Sequence, residues 1–598
     1  EVTAMIDLLI QEATVVDGSG AAPFTADVAV AGGHIIEAGR ILQVAQGTIH
    51  AAVAWLTPGF VDIHSHYDGQ ASWDETFSPS IQHGTTTVVM GNCGVGFAPL
   101  SNNTAQEQQR LIELMEGVED IPGAALAEGV RFNWTDFESY MAALDAMPHS
   151  LDFACLVPHD PLRMSVMGER ALAGEAATAQ DCTAMQSLLR RALQAGAIGF
   201  STGRSHNHRS SRGQFTPASE ANAFELTALA NAFQGLNHGV VQLVNDFDVL
   251  RGAVHEDDAA KARFDKEFAL VKQIAQSSGR PLSMTWLQRD PGGIQWQWLA
   301  QAVQGCVSEG LPMYLQTAAR GIGVITGLDT AFHALMGFPL YKEIAHLPLK
   351  ERAAALREPE RRARLMTEKS ERLAGDGSSV PPLVDMLLAR IDLISARMFP
   401  LTDTQHYEPT LMDSLLVRAK QRGISPLLAI YDYLAEGDGS QLIYFPIFNY
   451  NEGNLNVVQQ MLTLPRALMG LSDAGAHVGT ICDASFSTFM LTHWAGKGAA
   501  DAKISLPQGV NMLTARNAQY LGLKDRGVIR AGMRADLNLI DPAQLALHKP
   551  QLVHDLPAGG KRLLQSASGY LGTWVAGQCV QREGKITAAR PGRLVRAH

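Results

Sequence analysis

Short apolar strands alternate with amphipathic helical segments through the middle of this sequence, which predicts an α/β fold with a parallel sheet covered by helices. Apolar residues at helical spacing mark residues 183–195 and 218–233 as helices. The clearest strands are residues 88–90, 152–157, 197–200 and 239–244. This alternation fits either a closed barrel or an open, doubly wound sheet. No GxGxxG motif follows the first strand, so the main sequence signal of a dinucleotide-binding sheet is missing.

Both ends of the chain have the pattern of short strands joined by turns. Gly32-Gly33 and Gly577-Gln578 are the predicted hairpin turns of the two ends. We therefore predict one small β-domain assembled from residues 1–57 and 526–598, with a central domain of residues 58–525. The long, charged and helical stretch at about 330–415 is predicted to be an insertion over the mouth of the central domain.

Composition and charge exclude several classes of partner. The chain is 46% hydrophobic, which suits a large folded core, and its net charge of −12 is spread thinly. A nucleic acid or an anionic membrane would need a clustered basic face, so we expect neither as a partner. No uninterrupted apolar run of roughly 18 residues predicts a membrane span, and no secretory signal is visible. Six scattered cysteines without CxxC spacing suit a reducing cytoplasm. A homo-oligomer is compatible with the sequence.

The strongest chemical signal is the segment from Thr57 to His66, in which a Pro-Gly turn leads into a short apolar strand that ends in His64 and His66. Residues two apart on a strand point to the same side, so both imidazoles can reach one metal ion. Asp62 and Asp68 flank the pair and are candidates to orient an imidazole through its second nitrogen.

A second apolar run, Leu468 to Leu471, ends in Ser472 and Asp473. A carboxylate at the tip of a strand can bind a metal through oxygen and can also move protons. An isolated aspartate after a strand is more often a helix cap or a turn residue. The interpretation of Asp473 as a catalytic group therefore depends on the first motif and on a barrel that brings the two together.

Taken together, residues 58–66 and Ser472-Asp473 resemble the amidohydrolase superfamily. Residues 527–536 are similar to the G-x-I-x-x-G-x-x-A-D return strand of that superfamily. Residues 78–87, followed by Gly91-Asn92-Cys93-Gly94, resemble its N-acyl-D-amino-acid deacylase branch. The resemblance spans nearly the whole chain, and the insertion at about 330–415 marks a long-chain subgroup.

The resemblance implies a distorted (β/α)8 TIM-like barrel with an accessory β-sandwich and a water-activating metal, usually zinc. It implies that His64 and His66 are ligands from the first strand, Cys93 a ligand from the end of the second, and Asp473 a ligand and the general acid/base from the eighth. In that scheme the metal lowers the pKa of its water towards ~7, and Asp473 moves a proton from water to the leaving amine. His477 is a further candidate to position the water or the leaving group.

The sequence departs from the branch on the fifth and sixth strands, where the branch places a metal-binding histidine on each, near an arginine and a lysine that hold the substrate carboxylate. The matching stretches, residues 241–246 and 283–288, contain no histidine and no cation. We therefore expect one zinc ion rather than two. Trp286 in the second stretch is predicted to form a flat apolar wall against the substrate.

Two further segments supply candidate substrate-binding residues. The segment from Phe200 to Arg209 follows a strand and offers Arg204, His206 and His208, which can complete a metal shell or grip an anion; they can equally be solvated loop residues. Tyr444 and Asn449 precede Asp473 by less than one βα unit and can line a pocket with an aromatic face and an amide.

Three functions remain open from the sequence. The first is hydrolysis of a small-molecule amide, such as an N-acyl amino acid or a related acylated amine. The second keeps the same fold and acts on a cyclic amide, lactam, carbamate or ester, and the missing carboxylate anchors favour it. The third is a non-catalytic barrel that acts as a binding protein or partner subunit, which the loss of two expected ligands suggests.

Overall fold

Eight parallel strands form the central sheet of the computed structural model, which describes residues 5–247, 258–289, 294–371, 380–402 and 407–598. In chain order the strands are Phe60–Asp62, Thr85–Met90, Asp152–Pro158, Gly199–Arg204, Val240–Asn245, Leu282–Thr285, Met313–Thr317 and Ala467–Met469. We number them the first to the eighth barrel strand, and each pairs with the next in parallel. Beyond the first and eighth strands, His66 N donates to Ala474 O at 2.7 Å. The sheet is therefore nearly closed, and all its carboxyl ends face one mouth.

Helices cover the outside of this barrel because each carries an apolar face at helical spacing. In Ala179–Gln194, for example, Met185, Leu189 and Ala192 are buried, and the Thr178 side chain accepts a hydrogen bond from Asp181 N to begin the helix. The main covering helices are Ala105–Glu119, Gly123–Gly129, Phe137–Asp145, His159–Met167, Ala179–Gln194, Ala223–Ala230, Asp258–Ser278, Gln295–Ser308, Asn456–Leu462, Leu506–Leu513 and Ala515–Leu521. The predicted α/β barrel is confirmed, and the open doubly wound alternative is wrong.

A second sheet of nine strands takes strands from both ends of the chain. Its strands are Ile6–Val15, Phe24–Ala31, His34–Gly39, Ala45–His50, Trp55–Pro58, Leu537–Ile540, Tyr570–Val575, Gln578–Arg582 and Lys585–Ile586. The two ends meet where Leu537 pairs with Pro58 in antiparallel register. Two short ladders lie beside it: Ala546–Leu547 pairs with Ala567–Ser568, and Gln551–Val553 with Arg562–Leu564.

His83 links the barrel to the C-terminal segment. Its ring is buried and lies 2.8 Å from Thr488 Oγ1 and 2.7 Å from Gln565 O. Burial lowers the pKa of His83 to about 4, so the ring is neutral and one of its nitrogens donates to the Gln565 carbonyl. The side chain thus joins segments that lie far apart in the sequence.

The connection between the seventh and eighth barrel strands is a subdomain that extends beyond the predicted insertion on both sides. Strand Leu442–Phe448 lies between Ile322–Thr326 and Phe399–Leu401 in an antiparallel sheet. Its helices are Pro339–Lys342, Leu349–Leu356, Pro359–Arg364, Val380–Ala389, Ile391–Ile394, Leu415–Arg422 and Pro426–Leu434. They enclose an apolar cluster of their own. Among the described residues, no helix combines the length and the apolar character that crossing a bilayer requires.

Candidate metal centre

His64 and His66 lie at the carboxyl end of the first barrel strand, and both side chains are buried. The strand ends at Asp62, whose carboxylate accepts a hydrogen bond from His64 N at 2.9 Å. Asp62 therefore fixes the backbone at the strand end and not the His64 ring. Asp68 is buried as well, and burial raises its pKa to about 7, while a hydrogen bond from the Gly91 backbone acts in the opposite direction.

Cys93 lies in a tight turn directly after the second barrel strand. Its own φ is +60°, and Gly91 before it has φ +83°. A Cβ at Gly91 would lie 2.2 Å from Leu156 O, so only glycine fits this turn. Cys93 N donates to Gln242 Oε1 at 2.7 Å, and Gly94 N donates to Ser201 Oγ at 2.9 Å. The turn is thereby held against the fourth and fifth strands, with the thiol turned towards His64.

Asp473 lies on the loop that follows the eighth strand. Leu471, Asp473 and His477 all have positive φ, at 59°, 46° and 47°, a conformation that non-glycine residues rarely adopt. Such strain tends to collect at functional sites. Ser472 Oγ donates to His64 O at 2.9 Å, which ties this loop to the first strand. The Asp473 side chain is 24% exposed, so it is the carboxylate of the cluster that faces the mouth.

The structure brings the four predicted ligands together. His64 Nε2 lies 3.3 Å from Cys93 Sγ and 3.3 Å from Asp473 Oδ1, and His66 Nε2 lies 3.7 Å from Asp473 Oδ1. The ligand atoms of His64, His66 and Cys93 all lie within 4.8 Å of one another. Donors bound to one zinc ion at its usual bond lengths are separated by roughly 3.3–3.8 Å. The two nitrogens and the sulfur of His64, His66 and Cys93 therefore fit such an ion, and Asp473 Oδ1 lies beside both imidazoles; the ligand roles stay predictions.

Burial sets the protonation states that metal binding needs. It lowers the pKa of His64 to about 4 and that of His66 to about 3, so both rings are neutral near pH 7 and can offer a lone pair. Burial raises the pKa of the Cys93 thiol, and the carboxylates of Glu119 and Asp473 raise it further. A thiolate at this position therefore needs a nearby cation.

Polar residues on the fifth, sixth and seventh strands position the ligands. His64 Nδ1 donates to Gln316 Oε1 at 2.7 Å, which leaves its Nε2 free to bind a metal. Gln316 Nε2 in turn donates to Ser283 Oγ at 2.9 Å. Gln242 accepts from the Cys93 backbone as described above. Sequence reasoning noted that histidines are missing from the fifth and sixth strands, and the structure shows Gln242 and Ser283 directed at this site instead.

Glu119 is a member of the site that sequence reasoning missed. It is 3% exposed, and its Oε2 lies 3.4 Å from His66 Nε2 and 3.6 Å from His477 Nε2. Burial raises the pKa of this carboxyl well above its usual range, and Asp473 and Asp68 raise it further. The sequence does contain a sign that Glu119 is buried. Glu119 follows Leu111 and Met115 at four-residue spacing, so it lies on the same buried face of its helix.

The predicted residues of the 200–209 segment separate into two groups. Arg204 pairs with the Glu267 carboxylate and donates to Ala221 O, and His206 Nε2 lies 2.7 Å from Glu220 Oε1. His208 lies near the candidate metal centre: burial lowers its pKa to about 3, and the next causes are the neighbouring His477 and His66. His208 thus lies close enough to His477 and His66 for their charges to lower its pKa, while Arg204 and His206 are engaged by the carboxylates of Glu267 and Glu220. The predicted substrate-binding role of His208 stays a prediction.

Trp286, Tyr444 and Asn449 are all buried. The Trp286 indole donates to Trp296 O at 2.8 Å, and the Tyr444 hydroxyl donates to Gly321 O at 2.9 Å. Asn449 Oδ1 accepts from Gln288 N at 2.8 Å. These contacts are packing and loop contacts within the fold, and the predicted substrate-binding role of the three residues stays a prediction.

A cation does follow the sixth strand, one residue beyond the stretch in which sequence reasoning looked for it. Arg289 is 8% exposed, and its guanidinium lies 5.6 Å above the Phe448 ring. Burial lowers the pKa of Arg289, and Asp246 acts in the opposite direction. Arg289 is also among the charges that lower the pKa of His208, which places it on the same side of the barrel mouth.

Comparison with known proteins gives matches over nearly the whole chain. A family model described as the amidohydrolase family matches residues 48–581. An uncharacterized protein of Mycobacterium tuberculosis is 26% identical over 572 residues, covering 91% of this chain and 86% of that protein. The N-acyl-D-aspartate deacylase of Alcaligenes xylosoxydans is 37% identical over 202 residues, covering 33% and 37%. A D-aminoacylase structure with a binuclear metal centre, described as having one-metal activation and second-metal attenuation, aligns with a TM-score of 0.62 at 23% identity, covering 99% of this chain and all of that one.

Proposed function

The chain belongs to the amidohydrolase family and is a metal-dependent hydrolase of carbon–nitrogen amide bonds; we propose that its substrate is an N-acyl amino acid with a free carboxylate. The observation that carries this proposal is the cluster of His64, His66, Cys93 and Asp473 at the carboxyl ends of the barrel strands, with His64 Nε2 3.3 Å from both Cys93 Sγ and Asp473 Oδ1. Active sites of such barrels lie at this face.

The ion of this site is proposed to be a single zinc held by His64, His66, Cys93 and Asp473. Imidazole and thiolate donors favour zinc over magnesium or calcium. On the fifth and sixth strands, Gln242 accepts a hydrogen bond from Cys93 N and Ser283 accepts one from Gln316 Nε2. Neither side chain is a strong ligand for a second ion. The described one-metal activation of the similar D-aminoacylase agrees with a mononuclear catalyst. A divalent ion bound here polarises the scissile carbonyl and lowers the pKa of the attacking water.

Proton transfer is assigned to Asp473, because its carboxylate is the exposed one of the cluster and faces the mouth. It accepts a proton from the attacking water and delivers one to the nitrogen of the leaving amine. His477 lies on the same strained loop and is proposed to hold the water or the leaving group in place. The rings of His64 and His66 are neutral near pH 7, so neither imidazole competes with Asp473 as a proton donor.

Substrate selection is assigned to Arg289 and His208. A guanidinium that is more than nine-tenths buried gains most from an anion, since a carboxylate can bind it through two hydrogen bonds. The substrates named for two relatives, N-acyl-D-aspartate and N-acyl-D-glutamate, are acylated amino acids of the D configuration, which suggests the same configuration for the substrate of this protein. The argument for a cyclic amide, lactam, carbamate or ester, that residues 241–246 and 283–288 contain no cation, is weakened by Arg289, which directly follows the second stretch.

The test combines metal analysis with a substrate panel. Chelator-washed protein is reloaded with zinc, and the metal content of wild type and Cys93→Ala is measured by elemental analysis. We expect about one tightly bound zinc per wild-type chain, less in the variant, and turnover of N-acyl-D-amino acids above that of their L enantiomers and amidated forms. Turnover of lactams or cyclic carbamates, without turnover of acylated amino acids, would overturn the proposed substrate and favour the cyclic-substrate alternative. If the protein takes up no zinc, the results would favour a non-catalytic barrel that acts as a binding protein or partner subunit.

A further inference from the structure

Glu119 lies at the end of the helix Ala105–Glu119, and this helix end points into the barrel mouth. Asp120 ends the helix in a left-handed conformation, and His477 N donates to Glu119 O at 2.6 Å. A helix C-terminus carries a partial negative charge, and Asp68 and Asp473 lie near the same carboxylate. The fold therefore holds a buried acidic side chain where both the helix and its neighbours disfavour negative charge.

The charge of this side chain is compensated by no lysine or arginine in the part of the chain that the structure describes. Its ion-pair contacts are the imidazoles of His66 and His477, and Oε1 is buried without a hydrogen-bond partner among the described residues. A buried carboxylate without a cation is strongly disfavoured. The arrangement is explained if a cation lies beside Glu119 in the functional protein.

The carboxylate of Glu119 borders the compact group of donors that His64, His66 and Cys93 form, and it contacts this group through His66. Glu119 Oε2 is 3.4 Å from His66 Nε2, which matches the 3.3 Å between His64 Nε2 and Cys93 Sγ and falls within the roughly 3.3–3.8 Å expected between donors of one zinc ion. The side chain of Glu119 is 4% exposed and that of Asp473 is 24% exposed. The two carboxylates thus differ in their access to substrate.

We propose that Glu119 is a ligand of the ion held by His64, His66 and Cys93, and that Glu119 rather than Asp473 is the carboxylate that holds this ion throughout the reaction. The inference rests on the metal site of the proposed function. It revises the donor set of the proposed function, with Glu119 in place of Asp473 as the carboxylate donor beside His64, His66 and Cys93. Asp473, the more exposed of the two carboxylates, would then be free to move protons at the open face of the site.

The experiment measures zinc affinity of the full-length protein by competition with a chelator. Glu119→Gln preserves the shape of the side chain and removes its charge. The matched control is Glu116→Gln on the same helix, whose carboxylate accepts from Gly123 N at 3.3 Å. We expect Glu119→Gln to weaken zinc binding by more than the roughly 10–100-fold of an outer-shell change, Asp473→Asn to weaken it less than Glu119→Gln, and the control to stay within about twofold of wild type.

Two readouts separate a ligand from a structural residue. Without metal, Glu119→Gln should melt at or above the wild-type temperature, because burying this carboxyl costs free energy whether it stays charged or takes up a proton, and the amide has no such cost. Zinc should raise the Tm of the variant far less than that of wild type. With cobalt, the thiolate charge-transfer absorption from Cys93 should remain while the ligand-field bands change. If Glu119→Gln does not fold, Glu119→Asp, which shortens the reach, should still weaken zinc binding.

Wild-type zinc affinity in a folded Glu119→Gln variant would overturn the inference and leave the proposed function intact. Two ions in wild type, with only one lost in Glu119→Gln, would also overturn it, because Glu119 would then belong to a second ion. A wild-type protein that binds no zinc would overturn both.

Discussion

Replacement of Gln316 by methionine tests whether the barrel interior controls the metal through His64. The amide of Gln316 accepts from His64 Nδ1 at 2.7 Å and donates to Ser283 Oγ at 2.9 Å, and Ser283 Oγ also lies 2.7 Å from Tyr520 OH. Methionine keeps nearly the same length and volume but offers no amide. The variant therefore leaves the His64 ring without the partner that fixes its tautomer.

The size of the effect follows from these contacts. Ser283 keeps its bond to Tyr520, so the main loss is a buried N–H at His64, which costs about 1–3 kcal/mol when unpaired. If the ring avoids this cost by turning or by changing tautomer, Nε2 no longer faces Cys93. Loss of an outer-shell partner of this kind lowers metal affinity roughly 10–100-fold, which corresponds to about 1.4–2.7 kcal/mol.

The assay is a chelator competition at constant pH with wild type, Gln316→Met and the control Gln581→Met. Gln581 is a buried glutamine of the sheet built from both chain ends. Gln316→Glu should restore most of the affinity, since a carboxylate accepts from the same ring nitrogen. A Gln316→Met protein that binds zinc within twofold of wild type would refute the reasoning that Gln316 sets the His64 tautomer.

The remaining predictions concern catalysis, substrate and stability. His64→Ala should abolish turnover and leave the circular dichroism spectrum unchanged; substantial residual activity would remove the metal from the mechanism. Asp473→Asn should keep most of the zinc and lose roughly 10²–10⁴-fold in kcat, and an unchanged rate would assign the proton transfer elsewhere. Arg289→Met should raise KM for N-acyl amino acids by at least about tenfold with little change for their amides, and equal effects on both would show that Arg289 does not bind the carboxylate. Burial lowers the pKa of His83 from 6.5 to about 4. As the pH falls from about 6.5 towards 4, His83 is protonated in the unfolded chain before it is protonated in the folded one, so the free energy of unfolding decreases. Between pH 8 and pH 5 the loss from this group is about 2 kcal/mol, and urea unfolding of His83→Gln should show that much less pH dependence than wild type.

Local sequence was sufficient wherever one strand and its turn place the functional groups. His64 and His66 share a side because strand residues alternate, and Cys93 lies at the next strand end because the turn from Gly91 to Gly94 admits few conformations. The same logic placed Asp473 at the tip of a strand, and the resemblance to the amidohydrolase superfamily identified that strand as the eighth. The alternation of strands and helices predicted a parallel sheet covered by helices, and the resemblance to the amidohydrolase superfamily implied that this sheet closes into a barrel. The strand-like pattern of both chain ends predicted the β-domain that they share.

Contacts between distant segments were decided by the tertiary structure alone. Glu119 reaches His66 from the end of a helix, and Gln316 reaches His64 from the seventh barrel strand. Arg289 follows the sixth strand and lies close enough to His208 to lower its pKa. Nothing in the residues around Arg204 indicated that Glu267 would neutralise it. The sequence by itself determined which side chains leave each strand end, because backbone geometry is local. Which groups meet them depends on the closure of the sheet and the packing of helices, since side chains that are remote in sequence come within a few ångströms only after the core has formed.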